Sequence, residues 1–227
     1  MVVVYFWTIK KRHVLRALWH MAVDRISLRR SVATFYKSLG TGNGETFTPS
    51  DADMTRWGLL VVLPEAGINS FHDGSVINAW RKFADSEYRV LLRPLSSHGQ
   101  WSGKEPFTVA AGVGNQPWNG PIAAVTRARI KWHMNKKFWG AVPPVTTSLR
   151  GSAGLRAAIG IGEAPIGLQG TFSLWESPTA LRDFAYKGAA HSAAITATEK
   201  LQWYAEELFA RFAVIDESGS LNGDTAD

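Results

Sequence analysis

The sequence predicts an α+β fold made of two tandem β-α-β-β-α-β halves, and three observations carry that prediction. Apolar segments pass between strand-like and helix-like periods in the same order twice along the 227 residues. A stretch rich in Gly, Pro and Asn, from Ser96 to Pro121, divides the two runs. Turn signals answer each other across that divide: Gly40-Thr41-Gly42 with Gly160-Ile161-Gly162, and Leu59 to Leu63 with Pro64 against Ser173 to Trp175 with Pro178.

In the first half, the β-branched and aromatic run Val2 to Ile9 reads as a strand. Val14, Leu15, Leu18, Trp19, Ala22 and Ile26 then recur at helical spacing. Phe35 to Leu39 is a short strand running into Gly40-Thr41-Gly42-Asn43-Gly44, and Trp57 to Leu63 is an apolar strand stopped by Pro64. Ile68 to Phe83 is expected to be helical, interrupted at Asp73-Gly74, and Tyr88 to Leu95 closes the half as a strand. The second half repeats the order. Ile122 to Trp132 is a strand, Lys136 to Leu149 a helix broken at Pro143-Pro144, and Leu155 to Ile161 and Leu168 to Trp175 are strands. A helix opens at Ser177-Pro178, with Ser at the cap and Pro in the first turn. Leu201 to Ile215 supplies a short helical piece and a last strand.

This order is ferredoxin-like, and a four-stranded antiparallel sheet with helices on one face leaves its other face to be covered. The two halves are therefore expected to pack as a dimeric-type α/β barrel, with the pocket between sheet and helices. The expected bounds are 1–95 for the first half, 96–120 for a linker loop, 121–217 for the second half and 218–227 for a polar, flexible tail.

Hydrophobic residues make up 45% of the chain, enough for a core, and the absence of cysteine excludes disulfides, zinc ribbons, iron–sulfur ligation, haem-thiolate ligation and cysteine nucleophiles. Val2 to Trp7 is too short for a signal-peptide core and its basic run Lys10-Lys11-Arg12 follows rather than precedes it, so a cytoplasmic protein is expected. No stretch reaches the roughly twenty apolar residues of a membrane span. The net charge of +6 is spread along the chain, which argues against nucleic acid as a partner. The segment Lys10 to Arg30 mixes seven basic residues with Leu15, Leu18, Trp19 and Met21, which suggests a peripheral contact with anionic lipid at the inner membrane.

Among six histidines, His191 stands apart because Gly188, Ala189, Ala190, Ala193 and Ala194 leave space beside its ring. A lone His in an Ala-rich helix also describes a packing or capping residue. No second His or carboxylate stands three or four residues away, so a zinc pair or facial triad is poorly supported. Haem needs one protein ligand, the porphyrin supplying four. In the first half the matching region, near Ser75 to Asn78, has no histidine and runs into Trp80, so that half is expected to be filled. Ser173 and Ser192 lack a nucleophile-elbow context, and the glycines at 40, 42 and 44 lack the Gly-Lys-Ser of a phosphate loop. Trp101-Ser102-Gly103 reads as a plug or a lid.

Several longer motifs, in order over nearly the whole chain, resemble the spheroidene monooxygenase family, the carotenoid ketolases of purple phototrophic bacteria. They are Phe35-Tyr36-Lys37-Ser38-Leu39-Gly40-Thr41-Gly42-Asn43-Gly44-Glu45-Thr46-Phe47-Thr48-Pro49, Trp101-Ser102-Gly103-Lys104-Glu105-Pro106-Phe107, Ile159-Gly160-Ile161-Gly162-Glu163-Ala164-Pro165, Thr171-Phe172-Ser173-Leu174-Trp175 and Ala190-His191-Ser192-Ala193-Ala194-Ile195. The resemblance implies a haem b enzyme that takes electrons from reduced ferredoxin and oxygenates the end of an acyclic carotenoid, giving a hydroxyl and then a keto group. It makes His191 the expected axial iron ligand. Phe172, Leu174, Phe184 and Ile195 are candidates for the apolar wall, with core packing as the other reading of each. Lys37, Ser38, Arg127 and Arg129 are candidates for a polar group on the oxygen-binding side. A haem-dependent dehydratase of a small aldoxime and a non-catalytic haem-binding protein are the competing readings.

Overall fold

The computed structural model describes residues 1–42, 51–110, 117–131, 133, 148–163, 168–187 and 204–221. Twelve elements follow in order: β1 (Val2–Ile9), α1 (Val14–Arg29), β2 (Phe35–Gly42), β3 (Ala52–Val62), α2 (Ile68–His72), α3 (Ser75–Arg81), β4 (Ala84–Gly99), β5 (Ile122–Ile130), β6 (Leu155–Gly162), β7 (Leu168–Trp175), α4 (Pro178–Lys187) and β8 (Tyr204–Ser218). The chain forms two compact units, one of Met1–Thr41, Asp53–Arg93 and Ile215–Asp227, the other of Gly42–Ala52 and Pro94–Val214.

In the first unit the strand order is β2-β3-β1-β4, with β1 antiparallel to both β3 and β4. That is the ferredoxin-like order. β1 is a central strand because Val, Tyr, Phe, Trp and Thr suit a pleated surface buried on both faces; seven of its eight residues are buried. One face of the sheet and the helices share a core of Val3, Tyr5, Trp7, Trp57, Leu59, Val61, Leu28, Ile77, Trp80 and Phe83. Trp80 stacks on Trp7 with ring centroids 4.9 Å apart, and Tyr5 stacks on Trp7 at 5.5 Å. The helical stretch after Pro64 breaks where the sequence says it should: Asp73 and Gly74 donate their amides to Asn69 and Phe71, and α3 starts afresh at Ser75.

In the second unit the order is β6-β7-β5-β8, with β5 antiparallel to β7 and β8, and β7 to β6. The Ser177 hydroxyl accepts the Ala180 amide at 3.2 Å, so the cap that opens α4 is the one the sequence marks. α4 packs Ala180, Leu181 and Phe184 against Ile122, Trp175 and Leu149. The other face of this sheet buries Ala123, Val125, Phe172, Leu174, Leu208, Ala210 and Phe212, with Phe107 set edge-on against Phe212 at 4.9 Å.

The strands differ from expectation at their ends. β4 spans Ala84–Gly99 rather than Tyr88 to Leu95. β8 runs as strand from Tyr204 to Ser218, with no helical turn among its described residues and with Ser218 still in the strand rather than in a tail. The last residues of β8 belong to the first unit, where Asp216 and Glu217 meet Arg89 at 2.6 Å and the Tyr88 hydroxyl at 2.9 Å. Leu149 is the only buried apolar residue among those described of the expected helix from Lys136; 134–147 lie outside the described residues.

Candidate functional site

The two sheets present very different surfaces to their helices. Strand parity fixes which residues face which way, because successive side chains alternate between faces. In the first unit Val3, Tyr5 and Trp7 point to the helices, opposite Val61, Leu59 and Trp57. In the second, Ile122 and Trp175 are paired and point to α4. Counting by twos from that pair, the same face carries Ala124 and Thr126 on β5, opposite Ser173 and Thr171 on β7, and then Ala158 and Gly160 on β6. Thus Tyr5, Trp7, Trp57 and Leu59 are answered by Ala124, Thr126, Thr171 and Ser173. Two indoles, a phenol and an isobutyl group give way to a methyl and three hydroxyl-bearing stubs.

The first unit is filled on this side. Tyr5 and Trp7 are fully buried, and a small cavity is lined by Trp7, Asp24, Ser38, Leu59 and Trp80. Polar atoms there are paired off: the Trp80 indole donates to Asp24 at 2.9 Å, His20 meets the other Asp24 oxygen at 3.1 Å, and the Trp7 indole donates to Glu87 at 2.8 Å. Arg81 donates to Glu87 at 2.8 Å and to His72 at 2.8 Å, while the Tyr5 hydroxyl lies 3.2 Å from His72. Burial pushes the Tyr5 phenol far up, and burial with the nearby Arg81 pushes His72 below the ordinary histidine range.

The residues expected to form the site fall into distinct places. His191 and Ile195 lie outside the described residues. Phe184 faces the sheet from α4 and stacks on Trp175 at 5.3 Å. Phe172 and Leu174 are buried on the opposite face, paired with Val125 and Ala123. They are separated from Phe184 by the thickness of the sheet. Lys37 and Ser38 belong to the first unit, Lys37 with its ammonium 5.6 Å from the Phe35 ring centroid and Ser38 on the small cavity. Arg127 and Arg129 lie on the Phe172 face of β5.

Arg127 is a buried cation held by two carboxylates. It donates to Glu163 at 3.1 Å and to Glu206, and Arg129 approaches Glu206 at 3.7 Å. The Trp101 indole, itself buried, donates to Glu163 at 2.6 Å. Ser102 and Gly103, with φ of 57° and 69°, form a left-handed turn between Trp101 and Lys104 that aims both amides at Glu206, at 3.0 and 2.7 Å. Burial pushes the Glu206 carboxyl up, but those amides and the Arg127 guanidinium outweigh it and hold the group below the ordinary carboxylate range. The Trp101 loop is therefore anchored as a plug in its own unit. On the same face, a Cβ at Gly170 would run into the Thr126 carbonyl, so glycine is what lets β7 close on β5 there. Among the described residues no three His, Cys, Asp or Glu side chains gather as a metal site, and no helix is long and apolar enough to cross a membrane.

The small-residue face is a feature that the apolar pattern of the sequence does not mark. Its signal was available in the repeat, read position by position, as large residues in one half answered by small ones in the other.

No family model matches the chain. It is 35% identical over 194 residues to the spheroidene monooxygenase of Cereibacter sphaeroides, covering 84% of this chain and 59% of that protein, so it spans less than two thirds of that relative's length. It is 34% identical to the spheroidene monooxygenase of Rhodobacter capsulatus, over 83% of this chain and 78% of that one. It is 37% identical to that of Rubrivivax gelatinosus, over 84% and 72%. Among solved structures, an aldoxime dehydratase superposes with a TM-score of 0.62 at 10% identity, over 95% of this chain and 81% of that one, which shows a shared fold.

Proposed function

The chain belongs to the spheroidene monooxygenase family, and on that footing we propose that it is a haem-dependent monooxygenase that oxygenates the end of an acyclic carotenoid such as spheroidene, with reduced ferredoxin as the electron donor. The observation that carries the haem part of this reading is the second unit's sheet face. Ala124, Thr126, Ala158, Gly160, Thr171 and Ser173 present small side chains, which would leave room for a large flat group, where the first unit holds Tyr5 and two tryptophans. Small side chains in this pattern would suit a tetrapyrrole.

The internal repeat also supports His191 as the iron ligand. The spacing of 114 residues that separates Pro64 from Pro178 also separates Ile77 from His191 and Trp80 from Ala194. Ile77 is fully buried and packs over the sheet in the first unit's core, and Trp80 fills the space beside it. A histidine at the first position and an alanine at the second would put an imidazole nitrogen over the vacated face with room next to it. Its other ring nitrogen would donate to a carbonyl or carboxylate, fixing the ring and its basicity. Phe184 and Trp175 would form the apolar wall on the α4 side.

Haem bound there would supply a redox-active iron able to activate O2. Each turnover inserts one oxygen atom into a C–H bond, the second leaving as water on two electrons and two protons. A second hydroxylation at the same carbon gives a geminal diol that loses water to the ketone. The sheet and the covering helix would exclude water from the reacting carbon.

Titrating the protein with haem tests the assignment. A Soret band is expected that His191→Ala abolishes or strongly shifts and that added imidazole restores. An unchanged spectrum in the variant would refute His191, and turnover of an aldoxime without O2 would favour the dehydratase reading of the same fold.

A further inference from the structure

We propose that the outward face of α1 is a docking surface for an anionic lipid bilayer. α1 turns Ala17, His20, Asp24 and Leu28 to its own sheet. The side of a surface helix opposite its buried stripe ordinarily carries charge. Here it carries Leu15, 80% exposed, Trp19 and Ile26, each 59% exposed, and Leu18, 44% exposed. At about 100° per residue, these four and Ala22 fall within an arc of about 100° that lies opposite the buried residues.

Arginines border this apolar crest. Arg25 runs along one margin and Arg16 along the other, Arg29 stands within the arc at the last turn, and Lys11 and Arg12 precede the helix and Arg30 follows it, all exposed. The one acidic residue of the helix, Asp24, is buried between His20 and the Trp80 indole. Just beyond the helix, Val32 is 51% exposed and extends the apolar surface.

A convex ridge of Leu, Ile and Trp flanked by arginines matches a headgroup layer. The apolar crest enters the acyl boundary, the indole sits at headgroup depth and the guanidinium groups meet lipid phosphates. A second copy of the chain fits less well, because face-to-face pairing would set arginines against arginines with no surface carboxylate on the helix to pair them. An acidic protein would satisfy the arginines but would need a matching groove for the crest. The surface is argued from α1 alone; only its use, passing a lipid-borne substrate to the enzyme, rests on the proposed carotenoid activity.

The full-length protein is cosedimented with vesicles of phosphatidylcholine and with vesicles of equal parts phosphatidylcholine and phosphatidylglycerol, at low and high salt. Two variants accompany it, Leu15→Gln/Trp19→Gln/Ile26→Gln and Arg25→Gln/Arg29→Gln, each checked by circular dichroism. The wild type is expected to bind the anionic vesicles and to be released by salt. The crest variant should bind at least about tenfold more weakly, and each arginine removed should weaken binding about fivefold, near 1 kcal/mol per charge. Equal binding to both vesicle types, or undiminished binding by the crest variant, would overturn the proposal. So would an absence of vesicle binding combined with a dimer that the crest variant dissolves, or with ferredoxin-supported turnover that the arginine variant loses. Vesicle binding without carotenoid oxidation would leave the docking surface standing and count against the activity alone.

Discussion

Refilling the vacated face should close the site. Thr126 answers Trp7, so Thr126→Trp restores to the second unit the indole that occupies the same place in the first. An indole buries about 150–250 Å². At about 25 cal/mol per Å², expelling it to make way for a flat ligand costs about 4–6 kcal/mol. Haem affinity should therefore fall about a thousandfold or more. The protein itself should remain folded, because the added ring meets a face lined by small side chains and overpacking would cost about 1–3 kcal/mol. Haem titration followed at the Soret band, with thermal unfolding of the haem-free protein alongside, reads both quantities. The reverse change, Trp7→Thr, is the control. It opens a cavity against Trp80 and strips Glu87 of an indole donor at 2.8 Å, so it should destabilise by about 3–5 kcal/mol without changing haem affinity. A stably folded Thr126→Trp protein that binds haem as tightly as the wild type would refute the pocket on this face.

Arg127→Met should destabilise by up to about 3–5 kcal/mol, because it leaves the half-buried Glu163 and Glu206 carboxylates without their shared buried cation, and adding Glu206→Gln should recover part of the loss in denaturant unfolding. His72 titrates below its ordinary value of 6.5 in the folded chain, so the unfolded chain binds the extra proton first. Its contribution to stability is complete above 6.5 and is lost as pH falls through that value toward the lowered one; His72→Gln should flatten that part of a stability–pH curve, and an unchanged slope would contradict it. Trp80→Ala should cost about 3–5 kcal/mol by thermal unfolding, since it removes a buried ring stacked on Trp7 and the indole donor to Asp24.

Much of the fold could be read along the chain because its signals are local. β1 declares itself by a run of β-branched and aromatic residues, the break at Asp73-Gly74 separates α2 from α3, and Ser177-Pro178 opens α4. The ends of β4 and β8 were less legible. In β8 the half-buried Glu206 sits where an apolar residue would mark the inward face and the exposed Phe209 where a polar one would mark the outward face, so the alternation is masked. Glu206 is tolerated there because Arg127 and two backbone amides from a distant loop neutralise it, which no local pattern announces. The site was hard to see for a related reason. Phe172 and Leu174 draw attention by being large and apolar, yet they fill the face away from α4. The small residues of the face toward α4 stand out only when Ala124, Thr126 and Ser173 are compared with Tyr5, Trp7 and Leu59.

The most direct test of the proposed activity is oxygen incorporation. The haem-loaded protein, reduced by ferredoxin, is given an acyclic carotenoid under isotopically labelled O2, and the products are analysed by mass spectrometry. One labelled oxygen atom is expected at the end of the carotenoid, first as a hydroxyl and then as a ketone, and none with the His191→Ala protein. A product whose oxygen comes from water before any exchange, or unaltered carotenoid in the presence of bound and reduced haem, would contradict the proposed activity.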